Sequence, residues 1–225
     1  MKNVTLISDT HSKHSLLTND LIGGDMIIHG GDIMTSGYHK RELNDFLEWF
    51  DELNYKHKIF IAGNHDRFIE NHPEEFKELL SEYPKIIYLE DDFVIIDDIK
   101  IYGTPWQPEF YNWAFNLPRN GEELKARWDA IPDNTDILIT HGPPFGYLDI
   151  PGGQSIRVGC ELLRHRVDMI KPKIHVFGHI HGSAGYYFNG HTHFINAAIL
   201  NEQYMYQNMP LTIEWDNITN EIQWL

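Results

Sequence analysis

Five short apolar runs along the chain end in side chains of the kinds that bind metal ions. The clearest run, residues 174–182, leads from a β-branched and aromatic stretch into His179 and His181, with a glycine on each side of the pair. The other runs end in Asp9 and His11, in Asp32, in Asn64 and His65, and in His141. Apolar strands of this kind alternate with amphipathic helices, which predicts an α/β fold with ligands at the carboxyl ends of its strands.

Each of these motifs taken singly also fits ordinary structure. Asp9 suits a turn beside a surface histidine, and Gly63-Asn64 suits a left-handed turn. If the backbone stays extended, His179 and His181 point to the same side, because they are separated by one residue. Taken jointly the motifs favour a site, since chance would scatter such residues over both edges of a sheet. Without His65 the set is too large for one metal, and it fits a two-metal centre with one bridging carboxylate. The set consists of Asp9, His11, Asp32, Asn64, His141, His179 and His181.

The rest of the chain carries ordinary helix and strand patterns. Helical spacing of apolar residues predicts helices over residues 39–53, 73–82, 120–131 and 158–170. Strand-like runs at 85–89, 93–96 and 100–102 predict an antiparallel meander with a turn at Asp97-Asp98. Further strands are predicted at 136–140, 193–197, 211–215 and 221–224. No linker interrupts these elements, so we expect one domain over residues 1–225. Five histidines with polar neighbours are interpreted as surface groups: His14, His39, His57, His72 and His165.

Residues 103–118, called the aromatic loop below, contain five aromatic side chains punctuated by prolines. Such a loop can cover the end of the sheet or stack on a ring-bearing substrate. It can equally be a loop that buried aromatic rings hold against the body of the protein. In the first interpretation Trp106 is a substrate contact, together with Asn64 and His65.

Composition limits the partners that this chain can have. The formal net charge of −15 argues against a nucleic-acid polymer or a membrane surface. A small phosphate substrate stays possible, because bound metal ions dominate their local field. The single cysteine, Cys160, allows no internal disulfide and fits a reducing compartment. The first residues turn polar too soon for a signal peptide, and no run reaches the ~18 apolar residues of a membrane span, so we expect a cytoplasmic protein.

The order of the motifs resembles that of the calcineurin-like metallophosphoesterases over nearly the whole chain. Within that superfamily the chain is similar to the metallophosphoesterase-domain-containing group, which has cyclic-nucleotide phosphodiesterase activity. The motifs that carry the resemblance are Asp9-Thr10-His11, Gly31-Asp32, Gly63-Asn64-His65-Asp66, His141 and Gly178-His179-Ile180-His181. The likeness to the narrower group rests on 103–108, 115–119, 141–144 and 175–181.

The resemblance implies a four-layer α/β/β/α sandwich and a metal-dependent phosphodiesterase. It also implies a role for each site residue. One metal would bind Asp9, His11 and His181, and the other would bind Asn64, His141 and His179. Asp32 would bridge the two ions, and His65 would stand off them as a general acid or a phosphate contact. The hypothesised reaction is in-line attack on phosphorus by a hydroxide that the two metals share.

Two departures from the wider superfamily bear on function. Residues 33–37 lack the Asp-Arg-Gly of the protein Ser/Thr phosphatases, which argues against that activity and leaves open what orients His65. Some proteins of the narrower group have lost a late histidine, whereas His179 and His181 are both present here.

The nitrogen and oxygen ligands favour manganese, and they also accept iron, zinc, nickel or cobalt, including a mixed-valence pair. The alternatives are a phosphomonoesterase, a nuclease acting on nucleic-acid ends, and a non-catalytic protein-binding scaffold. The sequence does not reveal the oligomeric state.

Overall fold

The computed structural model describes all residues from Met1 to Leu225. Five α-helices are present: α1 Lys40–Glu52, α2 Arg67–Asn71, α3 Pro73–Ser81, α4 Glu122–Asp129 and α5 Glu161–Ile170. The first seven strands are β1 Lys2–Ile7, β2 Gly24–His29, β3 Tyr55–Phe60, β4 Ile86–Tyr88, β5 Asp92–Ile96, β6 Ile99–Thr104 and β7 Gln107–Pro108. The remaining seven are β8 Asn116–Leu117, β9 Ile137–Thr140, β10 Ile174–Phe177, β11 Gly185–Phe188, β12 His193–Asn196, β13 Leu211–Asp216 and β14 Glu221–Trp224. Two short 3₁₀ helices span His14–Asp20 and His181–Ser183.

The strands form two six-stranded sheets and one two-stranded ribbon. The first sheet has the order β14-β13-β1-β2-β3-β4, and the second has the order β11-β12-β10-β9-β6-β5. Strands β1 to β4 run parallel, as do β6, β9, β10 and β12. Antiparallel strands β13, β14, β11 and β5 complete the outer parts of the sheets.

Three apolar clusters separate four layers, which confirms the predicted α/β/β/α sandwich. The alternation of side chains along a strand explains the layering. In β1, Val4 and Leu6 face the cluster between the two sheets, whereas Ile7 faces the cluster under α1 and α3. In β9, Ile137 and Ile139 face the cluster between the sheets, and the side chain of Leu138 packs in the cluster with α4 and α5. Both sheets are therefore buried on two faces, as parallel sheets usually are.

Two details of the sequence interpretation are corrected by the structure. The predicted three-strand meander is wrong: β5 and β6 form a hairpin around Asp97-Asp98, but β4 joins the other sheet beside β3. An apolar run predicts a strand without identifying its partner, which explains the error. His14 is 2% exposed and not a surface group, because its ring packs on Phe46 and Trp49 and its Nε2 lies 3.1 Å from Asp45. A single domain over 1–225 stays a prediction.

None of the helices combines the length and the apolarity that crossing a membrane requires.

Candidate metal centre

The predicted ligands all follow the carboxyl ends of parallel strands, and both sheets contribute. In the first sheet, Asp9 and His11 follow β1, Asp32 follows β2, and Asn64 follows β3. In the second sheet, His141 follows β9, and His179 and His181 follow β10. The ends of the two sheets meet, and these seven residues are called the metal edge below.

The loops of the metal edge leave their strands with unusual backbone geometry. Asp9, His11, Asp32 and His179 all have positive φ, between 42° and 64°. The backbone at His179 is therefore not extended, so the condition under which His179 and His181 would point to the same side is not met. Left-handed residues other than glycine cost free energy, and they cluster where function requires a fixed side-chain direction. A left-handed turn aims each of these side chains independently of the strand that precedes it.

Two glycines allow the loops to approach one another closely. A Cβ on Gly178 would lie 1.9 Å from Asp9 Oδ2, and a Cβ on Gly63 would lie 2.3 Å from Asp32 Oδ1. Neither contact is sterically possible, so only glycine fits at either position.

Asp9, His11 and His181 form the first ligand group. One ligand atom from each lies within 4.8 Å of the others. His181 Nε2 is 3.2 Å from Asp9 Oδ1, and the backbone N–H of His179 donates to both oxygens of Asp9 at 3.1 and 3.0 Å. This group lies between β1 and β10, so it joins the two sheets.

Asp32, His141 and His179 form the second group, again with ligand atoms within 4.8 Å of one another. Asn64 belongs to the same group, because its Oδ1 is 3.0 Å from His141 Nε2. Asp32 Oδ2 lies 3.4 Å from His141 Nε2 and 3.7 Å from His11 Nε2. One carboxylate oxygen thus stands between the two ligand groups, which is the position that a bridging ligand requires.

Backbone carbonyl groups orient three of the ligand imidazoles in the same way. His11 Nδ1 lies 3.2 Å from Met34 O, His141 Nδ1 lies 3.0 Å from Gly30 O, and His181 Nδ1 lies 3.0 Å from Asn201 O. We assign Nδ1–H as the donor, since a carbonyl oxygen only accepts. This tautomer leaves Nε2 free to bind a metal.

Electrostatics in the metal-free site divides the histidines into two classes. Burial lowers the pKa of His11 to about 4 and that of His179 to about 3. Burial also opposes protonation of His141 and His181, but the former gains the charge of Asp32 and the latter a hydrogen bond to Asp9. These partners raise the pKa of both imidazoles to about 9.

The two carboxylates respond in the opposite direction to the same contacts. Burial disfavours the charged form, but His181 outweighs it and holds the pKa of Asp9 below its ordinary value. Burial also acts on Asp32, and the charge of His141 outweighs it and keeps the pKa of Asp32 well below its ordinary value. Each ligand group therefore contains an anionic carboxylate beside an imidazolium when no metal is bound.

The donor set fits two divalent transition-metal ions. His11 Nε2 is buried and has no hydrogen-bond partner, although buried polar atoms nearly always have one. A metal bound at the first group would satisfy that nitrogen. Imidazole nitrogen together with carboxylate and amide oxygen is a ligand set for manganese, iron, cobalt, nickel or zinc.

His65 stands beside both groups without joining the predicted ligand sets. Its Nδ1 lies 2.6 Å from Thr35 O, so Nε2 is the free nitrogen, and its backbone N–H donates to Asp32 Oδ1 at 2.7 Å. A ring nitrogen of His65 also lies within 4.8 Å of ligand atoms of His11 and Asp32. The carbonyl of Thr35 thus fixes one ring nitrogen of His65.

Asp66 holds the backbone under the metal edge in place. Its carboxylate accepts N–H groups from Asp32, Ile33, Met34 and Gly63 at 2.7–3.3 Å. Burial and the nearby charge of Asp32 raise the pKa of Asp66 to about 8, and the N–H donors oppose this shift.

A cavity of about 550 Å³ opens onto the ligand groups. Asn64 and His65 line it as expected, but Trp106 does not. The indole N–H of Trp106 donates to Asp91 at 2.9 Å, and Arg127 lies 4.3 Å from its ring centre. These contacts fix Trp106 in the base of the aromatic loop, away from the cavity wall.

Other residues of the cavity wall were not identified from sequence. They include Gln107, Glu109, Phe110, Gln154, Glu202 and Tyr204. Tyr204 packs against three site imidazoles, with ring centres 4.8 Å from His11, 5.5 Å from His181 and 6.4 Å from His65. The aromatic run at 110–115 was a usable signal for Phe110, whereas nothing in residues 201–206 marks Tyr204.

Comparison with known proteins agrees with this geometry. The family model for calcineurin-like phosphoesterases matches residues 2–183. The human and mouse proteins named metallophosphoesterase domain-containing protein 1 are 39% identical to the chain, over 92% of its length and 69% of theirs. A UPF0046 protein of Caenorhabditis elegans is 38% identical over 92% of the chain and 73% of its own length.

Solved structures with low sequence identity to this chain share its fold. A protein of Thermus thermophilus superposes with a TM-score of 0.66 at 16% identity, over 99% of this chain and 97% of that one. Phosphopantetheinyl hydrolase of Mycobacterium tuberculosis superposes with a TM-score of 0.58 at 13% identity, over 90% of each chain.

Proposed function

This chain belongs to the calcineurin-like phosphoesterase family and is a metal-dependent phosphoric ester hydrolase, and on that premise we propose that it hydrolyses small phosphodiesters, with cyclic nucleotides as the substrate class. In this proposal Asp9, His11 and His181 hold one ion, and Asn64, His141 and His179 hold the other. Asp32 would be a ligand of both ions. Manganese is the first choice among the metals that this donor set accepts.

The observation that carries the preference for diesters is the charge of the cavity wall. Apart from the site histidines, Arg119 is the only basic residue that lines the cavity. Its guanidinium is already engaged, because it donates to the carbonyls of Val158 and Gly159 and to the carboxylate of Glu161 at 2.7–2.9 Å. Glu109 and Glu202 add negative charge to the same wall. A phosphomonoester carries up to one more negative charge than a diester, and no free cation of this wall would compensate it.

The shape of the wall supports an uncharged second substituent on phosphorus. Phe110 offers an apolar ring, and Gln107 and Gln154 offer amide groups for orientation. Pockets for small ligands combine apolar surface with a few placed polar groups in this way. The net charge of −15 works against the nuclease alternative, because a long polyanion would be repelled over the whole surface.

The chain's own residues then have defined tasks. When bound, two divalent ions lower the pKa of water and stabilise negative charge on a phosphoryl group. His65 donates a proton from Nε2 to the leaving oxygen, while Thr35 O keeps Nδ1 protonated. The side-chain amide of Asn64 orients a phosphoryl oxygen, and Asp32 holds the backbone N–H of His65 at 2.7 Å. The single cysteine is compatible with a reducing compartment, and the cytoplasm is the proposed location.

The experiment is a paired rate assay on chelator-stripped protein with manganese added back. Bis-p-nitrophenyl phosphate and p-nitrophenyl phosphate are compared at equal metal concentration, and His165→Ala serves as a control because that histidine is exposed on α5. We expect metal-dependent turnover that favours the diester, followed by turnover of cyclic nucleotides. A preference for the monoester would replace the proposal with a phosphatase. Metal binding without turnover of either ester would replace it with the scaffold.

A further inference from the structure

The ring of His65 lies flat on an indole of the aromatic loop. The ring centres of His65 and Trp113 are 4.0 Å apart, and the two planes differ by 25°. Arg67 extends this column, since its guanidinium lies 4.8 Å from the Trp113 ring centre and 5.2 Å from that of Tyr38. On the metal side, the ring centre of His11 lies 4.5 Å away at an angle of 85°. The imidazole of His65 is therefore held between a stacking column and a ligand imidazole.

A hydrogen bond alone does not fix an imidazole. The contact between Nδ1 and Thr35 O locates one atom, but the χ2 torsion of histidine is broad and allows the ring to turn about that contact. A flat aromatic partner at stacking distance restricts this rotation. The plane of the ring, and with it the direction of Nε2, then depends on Trp113.

The backbone of the aromatic loop is held to the same segment that carries His65. The N–H of Ala114 donates to Asn64 O at 3.0 Å, and the N–H of Phe115 donates to Glu70 at 2.8 Å. Phe115 is 1% exposed, whereas Tyr111 is 83% exposed. Trp113 thus lies at the buried end of the loop, where its position relative to His65 is fixed by main-chain contacts.

We propose that Trp113 is the positioning residue for His65, and that its stack acts together with the Thr35 carbonyl to fix the direction of Nε2. This inference rests on the proposed function of His65 as a proton donor. Trp113 acts only through the imidazole, since it does not line the cavity. A proton donor that is held loosely donates less efficiently, because catalysis by positioned groups depends on near-attack geometry.

The kinetic test is a double-mutant cycle of Trp113→Ala and His65→Ala on two diesters. Diphenyl phosphate has a poorer leaving group than bis-p-nitrophenyl phosphate, so it depends more on a proton donor. We expect Trp113→Ala to lower kcat for diphenyl phosphate about tenfold or more, with little change in KM. The effect should be smaller for the nitrophenyl ester, small for Trp113→Phe, and absent when His65→Ala is already present. Wild-type rates in Trp113→Ala, or losses that multiply in the double variant, would overturn the proposal.

A second measurement is independent of metal and of turnover. In the metal-free protein, the carbon-bound protons of the His65 ring should show upfield ring-current shifts from the indole in a long-range ¹H–¹⁵N spectrum. Trp113→Ala should remove these shifts, Trp113→Phe should keep part of them, and Tyr111→Ala in the same loop should leave them unchanged. Unchanged shifts in Trp113→Ala would contradict the stack. Failure of the proposed function can be distinguished from failure of this inference. In the first case the wild-type protein would lack diester turnover, but its spectrum would still show the ring-current shifts.

Discussion

The metal edge and the aromatic loop face each other across one cavity, but they are built on different principles. Most side chains of the metal edge are buried, and left-handed loops and backbone hydrogen bonds fix their directions. In the aromatic loop, Phe115 is buried, but Phe110 is 50% exposed and Tyr111 is 83% exposed. One wall is therefore preorganised by the main chain, whereas the other presents the half-exposed ring of Phe110 to the cavity.

This difference separates the chemistry from the choice of substrate. Groups that act on the reacting phosphorus need fixed geometry, because catalysis loses much when they are misplaced. Groups that contact the remote part of a substrate contribute mainly to binding. Changes in the metal edge should therefore alter metal content and kcat, and changes in the exposed loop should alter KM.

Replacement of Asp32, the carboxylate proposed to bind both ions, should give the largest effect. We expect Asp32→Asn to lower kcat for bis-p-nitrophenyl phosphate about 10³-fold or more, because loss of bound metal removes several kcal/mol of charge stabilisation. Metal content measured by elemental analysis should fall below that of wild type, while His165→Ala keeps both properties. An Asp32→Asn protein with full metal content and wild-type turnover would show that this residue does not join the two ligand groups.

Removal of His65, the proposed proton donor, should give the next largest effect and should leave metal content unchanged. His65→Ala is expected to lower kcat for diphenyl phosphate about 10²-fold, as is typical for a lost general acid. Turnover of bis-p-nitrophenyl phosphate should fall less, because nitrophenolate leaves without protonation. Equal losses on both esters would assign His65 to phosphate binding instead of proton transfer.

The pH dependence of metal binding tests the charges assigned to the metal edge. His141 and His181 have a raised pKa of about 9, and a metal binds only neutral imidazole. Apparent affinity for manganese should therefore fall with decreasing pH below about 9, by about tenfold per pH unit for each proton displaced. Calorimetric titration of the metal-free protein in buffers of different ionisation enthalpy counts these protons. Affinity that stays constant between pH 7 and 9 would contradict the assignment.

The stability of the metal-free protein should respond to pH in the opposite sense. A group whose pKa is raised on folding stabilises the protein below its unfolded pKa, and that contribution is lost as pH rises through the folded value. For His141 and His181 the contribution is present below pH 6.5 and is lost towards about pH 9. The contribution of these two groups to the free energy of unfolding should therefore decrease as the pH rises from 6.5 to about 9. Urea denaturation after chelation measures this free energy. Both Asp32→Asn and the removal of Asp9 should weaken its dependence on pH.

The smallest effect is expected in the exposed part of the aromatic loop. Phe110→Ala should raise KM for an aryl or nucleoside diester about fivefold, because covering part of a phenyl ring is worth about 1 kcal/mol. The value of kcat and the metal content should stay close to wild type. A large fall in kcat would mean that the loop takes part in the chemistry beyond Trp113, and the contrast between the two walls would then be lost.

Much of the fold and of the metal edge could be predicted from sequence, because both depend on local patterns. The apolar runs before Asp9, Asp32 and His141 mark parallel strands. The ligands come together because the carboxyl ends of such strands lie at one edge of a sheet. The pairing of strands was harder to predict, because an apolar run does not encode which strand pairs with it. Strand β4 is the example. The left-handed backbone conformation at His179 was also not predicted, because the only sequence signal for it is the preceding glycine.

The cavity wall was the least predictable part of the site. The aromatic run predicts Trp106 as a substrate contact, but its contacts with Asp91 and Arg127 hold it in the loop base. Tyr204 reaches the site from residues far along the chain, and its place depends on how that loop packs beside His11. Such positions follow from tertiary contacts, which a single sequence does not display.

The central claim is that two metal ions bind at the meeting point of the sheets and share Asp32. Anomalous scattering measured at the manganese edge, from crystals of the manganese-loaded protein, tests it most directly. We predict two anomalous peaks, one among Asp9, His11 and His181 and one among Asn64, His141 and His179, with Asp32 between them. A single peak, or peaks away from these residues, would contradict the account.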